Sequence, residues 1–118
     1  MTRSYSNLID GELVTTAAAL EVINPATEEV IAQVPACGKE ELDCAVAAAR
    51  RAFKEWRKTP VEERRAAIRA IAAAIKDNTD ELYRLLTQEQ GKPHHQAKGE
   101  ILGAAGLANA QAGLSLDE

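Results

Sequence analysis

Aromatic residues are nearly missing from this 118-residue chain, which has one Trp, one Phe and two Tyr. Single-stranded nucleic acid is held largely by stacking on aromatic side chains, so a stacking surface is excluded. An excess of positive charge is missing too. Fourteen Lys and Arg stand against eighteen Asp and Glu, a net charge of −4, whereas nucleic-acid-binding domains are usually strongly basic. No apolar run approaches the ~18 residues of a membrane span. The start, Met1-Thr2-Arg3-Ser4-Tyr5, carries no apolar signal-peptide core. These absences describe a soluble, cytoplasmic chain. Cysteine is scarce, with only Cys37 and Cys44. They lack the two further ligands that a metal site needs. A cytosolic chain keeps thiols reduced, and no nearby His or glycine-rich turn marks either as a nucleophile. Both are expected to be inert.

What the chain has in quantity is alanine, about a fifth of its residues, which favours helices. Its length suits one domain rather than two. With 46% hydrophobic and 27% charged residues, global disorder is excluded.

Strand signals come first. Asp10-Gly11 stands between the apolar pairs Leu8-Ile9 and Leu13-Val14. Both residues tolerate positive φ, so the pair predicts a tight hairpin turn. Leu20–Ile23 reads as a second strand stopped by Asn24-Pro25, and Glu29–Val34 as a third stopped by Pro35.

From Lys39 the period changes to that of a helix. Leu42, Val46, Ala49, Phe53 and Trp56 recur on one face. Thr59-Pro60-Val61-Glu62 predicts the next helix start, with Thr59 as N-cap, Pro60 as first helical residue and Glu62 as capping-box partner. The stripe Ile68, Ile71, Ala72, Ile75 follows. Asn78 with Glu81 offers a second capping box, which predicts a break and a new helix carrying Leu82, Leu85 and Leu86. Gly91-Lys92-Pro93 ends it. A last helix is expected from about Pro93 to Ala112. Gly99, Gly103 and Gly106 in its interior predict tight packing against a sheet or another helix.

The remaining charged and polar candidates read as surface. The basic residues from Arg50 to Arg69 are interleaved with Glu55, Glu62 and Glu63, the pattern of a solvated helix face. His94 and His95 are adjacent, so on a helix they point about 100° apart and do not face one ion together. Phe53, Trp56, Tyr83 and the Leu/Ile set make a thin core. The apolar faces therefore look as though they meet another part of a longer chain, or another chain.

These segments, in their order and spacing, resemble the N-terminal quarter of the aldehyde dehydrogenase superfamily. The carrying residues are Ile9-Asp10-Gly11-Glu12, Val22-Ile23-Asn24-Pro25-Ala26-Thr27-Glu28 through Val34, Ala52-Phe53-Lys54-Glu55-Trp56, Thr59–Arg64 and Leu85–Pro93. The resemblance implies an α/β parent fold. This chain, 1–118, would be an incomplete part of the cofactor-binding domain, with short strands over 1–36 and helices over 38–113. Family members are NAD(P)-dependent oxidoreductases, usually homodimers or homotetramers, that turn aldehydes into carboxylic acids. A Cys nucleophile takes the aldehyde, hydride passes to the nicotinamide, and a Glu helps water release the acyl-enzyme.

In the family those groups and the phosphate-contacting glycine turn lie beyond the matched region. No catalytic or cofactor-binding residue is therefore expected here, and the chain alone is expected to be inactive. Its implied partners are the remainder of a dehydrogenase chain and, through it, an aldehyde. Some members also bind a monovalent cation through positions matching the carbonyls of Val22 and Ile23 and the acid Glu89. Glu89 reads more readily as a helix-end residue holding the Gly-Lys-Pro turn. Leu107–Gln111 is small and polar where members commonly carry aromatics. The alternative function is a non-catalytic helical interaction module derived from the same fold, and a weaker one is an anion-binding helical adaptor.

Overall fold

The computed structural model describes residues 3–115. Met1 and Thr2, and the closing residues Leu116–Glu118, lie outside the described residues. Five short strands precede four helices: β1 (Arg3–Ser4), β2 (Asn7–Ile9), β3 (Glu12–Val14), β4 (Ala19–Ile23), β5 (Val30–Pro35), α1 (Lys39–Trp56), α2 (Val61–Asp77), α3 (Thr79–Gln90) and α4 (His94–Ala112). The chain is mostly helical with short strand pairs, as its composition and period predict. Its internal contacts divide it between Lys58 and Thr59 into two compact units, where length alone argues for one domain.

In the first unit, β2 and β3 form the expected hairpin, with Leu8 opposite Leu13 and Ile9 opposite Glu12. Asp10 and Gly11 both take positive φ, 54° and 82°. That is the requirement of a two-residue turn whose twist matches the strands. A second sheet has the order β1-β5-β4, with β1 parallel and β4 antiparallel to the central β5. β1 has no sequence signal, because two residues cannot show alternation. Between β4 and β5 the Asn24 side chain accepts from the Ala26 N–H at 2.9 Å. Its carbonyl accepts from the Glu28 N–H at 2.8 Å, and Glu28 turns the chain at φ 59°. Pro35 does not stop β5 but ends it, paired with Ala19; a strand's last residue can lack a ladder donor.

α1 packs on β2. Its start is fixed by the Gly38 N–H, which donates to Glu41 Oε2 at 2.7 Å. The helix forms where expected, but it buries a different face. Ala48 is buried and Glu41 and Ala45 are half-buried, while Leu42, Val46, Phe53 and Trp56 stay 61%, 43%, 60% and 49% exposed. The two faces lie roughly a quarter-turn apart on the helix.

In the second unit, α4 packs on both α2 and α3. Pro60, not Thr59, caps α2. Its carbonyl accepts from the Arg64 N–H at 3.1 Å, and no side chain caps this end. Proline's fixed φ here goes with an extended ψ of 146°, which leaves Pro60 outside the helix by one residue. The break at Asn78 is real, but its side chain makes no cap bond to α3. Asn78 Nδ2 instead donates back to the Ala74 carbonyl at 2.8 Å, and Thr79 Oγ1 to that of Lys76 at 2.6 Å. Gly91 closes α3 at φ 71°, its N–H donating to the Thr87 carbonyl at 2.8 Å.

The core is alanine rather than the aromatic and Leu/Ile set. Ala32, Ala48, Ala72, Ala97, Ala105 and Ala112 are the buried hydrophobic residues, and no large side chain is fully buried among the described residues. On α4 the contact face runs Ala97, Ile101, Ala105, Ala108, Ala112, a spacing of three and four. Methyl-sized side chains let helix backbones approach closely, so packing proceeds without bulk. The expected tight packing of Gly99, Gly103 and Gly106 does not occur within the described residues. They lie on the far side of α4, exposed, and a Cβ at any of them meets nothing within 4 Å.

Candidate functional site

Two grooves in the first unit run between the hairpin and α1. The larger, about 560 Å³, is lined by Asn7, Leu8, Ile9, Cys37, Lys39 and Leu42 among others. The smaller, about 350 Å³, continues along Ile9, Asp10, Gly11 and the alanines of α1. Both are open and largely apolar. Arg51 Nη2 donates to Asp10 Oδ2 at 2.7 Å and ties the helix to the hairpin turn. That pair is about three-fifths exposed on each side, so its net contribution is small, about 0.2–1 kcal/mol.

Cys37 sits at the mouth of the larger groove, exposed, and its Sγ accepts a hydrogen bond from Asn7 Nδ2 at 2.7 Å. Cys44 is exposed on α1. Both are free thiols with no base beside them among the described contacts. His94 and His95 are exposed at the start of α4. His94 meets the edge of the Tyr83 ring, centroids 5.5 Å apart, so it is a packing residue between α3 and α4. Among the described residues no three His, Cys, Asp or Glu side chains gather to hold a metal ion.

Val22 and Ile23 lie in β4 at a register shift. Val22 pairs with Ala32 and Ile23 with Val30, which leaves Ile31 between them without an opposite residue. A bulge of this kind disrupts the ladder locally and re-aims main-chain groups. Glu89 is exposed in the last turn of α3, in the second unit. The three oxygen donors are thus split between units, and neither unit assembles the set by itself.

The basic run, read as a solvated face, hides a structural task. Arg65 Nη1 bonds Glu62 Oε1 at 2.5 Å, and its Nη2 donates to the Leu114 carbonyl at 2.5 Å. Arg69 Nη2 donates to the Ala112 carbonyl at 3.4 Å. These carbonyls are at the C-terminal end of α4, where cations interact favourably with the unpaired groups of the helix end. The signal was present in the spacing: Arg65 and Arg69 fall on the same face of α2 as buried Ala72.

Neither groove suits a dinucleotide. Their walls are largely apolar, and the one cation among the described lining residues, Lys39, is engaged with Asp43. A diphosphate demands several donors or positive charges, so these residues do not hold a nicotinamide cofactor by themselves.

The arrangement of strands and helices is that of a known enzyme fold. Lactaldehyde dehydrogenase from Escherichia coli superposes with a TM-score of 0.91 at 34% identity, over 95% of this chain and 24% of that one. An NAD-dependent aldehyde dehydrogenase from Sinorhizobium meliloti matches equally, at 32% identity over 96% and 24%. Residues 14–117 match the model of the aldehyde dehydrogenase family, and the chain belongs to that family. Malonate-semialdehyde dehydrogenase 3 of Geobacillus kaustophilus is 44% identical over 102 residues, which is 85% of this chain and 21% of that protein. The mitochondrial acylating methylmalonate-semialdehyde dehydrogenase of Arabidopsis thaliana is 38% identical over 116 residues. The chain spans about a fifth of the length of these curated relatives.

Proposed function

We propose that this chain is the N-terminal part of the cofactor-binding domain of an NAD(P)-dependent aldehyde dehydrogenase, which oxidises an aldehyde to a carboxylic acid. The family match over residues 14–117 carries the reading. The nicotinamide would accept the hydride, and no residue of this chain takes part in that step. What the chain supplies is scaffold: a hairpin, a small sheet and four helices on which the rest of the domain packs. Its partners are that remainder, an aldehyde substrate and further copies in a cytoplasmic homo-oligomer. The semialdehyde dehydrogenases among its relatives favour an aldehyde bearing a carboxylate.

A monovalent cation held by the Val22 and Ile23 carbonyls and the Glu89 carboxylate is a finer part of this reading. It rests on the family resemblance and on oxygen donors suiting a hard cation. In a full-length enzyme carrying this segment, Glu89→Gln should then flatten any rise in melting temperature on exchanging choline for potassium; an unchanged rise excludes Glu89.

The main test is a graft. Replacing the matching first fifth of the Geobacillus kaustophilus enzyme with this chain should leave oxidation of malonate semialdehyde measurable. Incubating the 118 residues alone with NAD or NADP and a panel of aldehydes should yield no reduced nicotinamide. Steady turnover by the isolated chain would sink the scaffold reading. The alternative, a non-catalytic interaction module, draws on the exposed apolar face of α1.

A further inference from the structure

We infer that Asp10-Gly11, at the tip of the β2–β3 hairpin, is a site of spontaneous backbone isomerisation to an isoaspartyl linkage, and that Arg51 of α1 restrains it. The inference concerns a modification of this chain and holds whatever reaction the whole enzyme performs. The chemistry needs an Asp whose carboxyl carbon can be reached by the amide nitrogen of the next residue. That nitrogen must be unshielded and free of a hydrogen bond.

Asp10 is the one Asp of the chain followed by Gly, and no Asn is. Gly11 has no side chain to shield its nitrogen, and where a Cβ would stand there is nothing within 4 Å. Both turn residues are exposed. Among the described residues the Gly11 N–H has no hydrogen-bond partner. The other described Asp residues lack this access. Asp43, Asp77 and Asp80 lie in helices, followed by Cys44, Asn78 and Glu81, and the Asn78 N–H is tied to the Ala74 carbonyl at 3.2 Å.

In the reaction the Gly11 nitrogen attacks Asp10 Cγ. An N–C bond forms and a carboxyl C–O bond breaks. The amide hydrogen and the hydroxyl of the acid leave together as water, closing a five-membered succinimide. Water then adds back at one of the two ring carbonyls. Opening at Cγ restores Asp. Opening at the former main-chain carbonyl routes the backbone through the side chain and frees the α-carboxylate. One water is lost and one gained, so no other reactant is needed.

Arg51 Nη2 holds Asp10 Oδ2 at 2.7 Å and draws the carboxylate toward α1, away from its own backbone. The pair is exposed, so its release should raise the rate by a factor of at most about five. The product carries one extra main-chain methylene in a two-residue loop. Loop length sets turn type and register, so the pairing of Leu8 with Leu13 does not survive it. The freed α-carboxylate suits one class of partner, an isoaspartyl methyltransferase that uses S-adenosylmethionine.

Ageing the 118-residue chain in warm neutral buffer, beside a free peptide of residues 5–16, tests this. The readouts are methyl transfer from labelled S-adenosylmethionine by an isoaspartyl methyltransferase and fragmentation mass spectrometry that places the isomer. Signal at position 10 should grow with time and vanish in Asp10→Glu, which keeps the charge but needs a larger ring. Arg51→Gln should speed it up to about fivefold. No isomer at position 10 of the chain while the peptide converts, or a signal that persists in Asp10→Glu, overturns the site. A chain that converts as fast as the peptide, or as fast as Arg51→Gln, overturns the restraint by Arg51.

Discussion

Gly91 and Gly11 hold left-handed backbone for different ends, the first closing a helix and the second turning a hairpin. Gly91 closes α3 at φ 71°. A Cβ there costs about 1–2 kcal/mol, so Gly91→Ala should lower the midpoint of urea unfolding followed by circular dichroism. Asp10 shares the hairpin turn at φ 54°, a conformation that Asn adopts as readily. Asp10→Asn removes only an exposed ion pair with Arg51, and should shift stability by about 1 kcal/mol or less. Arg65 is the opposite case. Its side chain is 25% exposed and bonded to Glu62 and to the Leu114 carbonyl. Arg65→Ala should cost about 1–2 kcal/mol by the same assay, with part retained in Arg65→Lys, which keeps the charge without the fork. The turn glycines were legible in the sequence, because few residues tolerate positive φ. The role of Arg65 was not, because its partner is a backbone carbonyl 49 residues away.

At the scale of elements, periodicity with its flanking turn residues located the four helices and Asp10-Gly11 the hairpin, but periodicity failed in choosing faces. A stripe of Leu, Val, Phe and Trp on α1 signals burial against something. It does not say that the something lies in the described chain. On α4 the pattern was weak, because alanine and glycine are nearly equal in hydrophobicity and size. The structure separates them: Ala97 and Ala112 are wholly buried, and the glycines face open space. Two opposite outcomes follow. Ala97→Leu overpacks the contact of α4 and should destabilise the chain by about 1–3 kcal/mol. Gly103→Ala adds a methyl that meets nothing, so its higher helix propensity should stabilise by about 0.5–1 kcal/mol. Thermal melts of the two variants against the parent check both signs. Cap positions were the least legible feature. Thr59 and Asn78 are good cap residues by type, but the first lies one residue too early and the second bonds backward to Ala74.

For the whole molecule, the family was legible because its segments recur in order. The candidate cation ligands were legible only through that resemblance, because carbonyl ligands carry no side-chain signature. A chain divided at Lys58 into two units with alanine cores has little apolar area to bury in either. Unfolding cooperativity scales with such shared burial. Calorimetry of the isolated chain should therefore give a broad transition, its van't Hoff enthalpy departing from the measured heat. One sharp transition with matching enthalpies would contradict a division into two units.

Trp56 is the sole indole of the chain and stands half exposed beside Phe53. Nature has thereby placed a single fluorophore on the exposed apolar face of α1. Its emission in the isolated polypeptide should lie toward the red and be readily quenched by iodide, a property that lets the covering of this patch be followed by light alone.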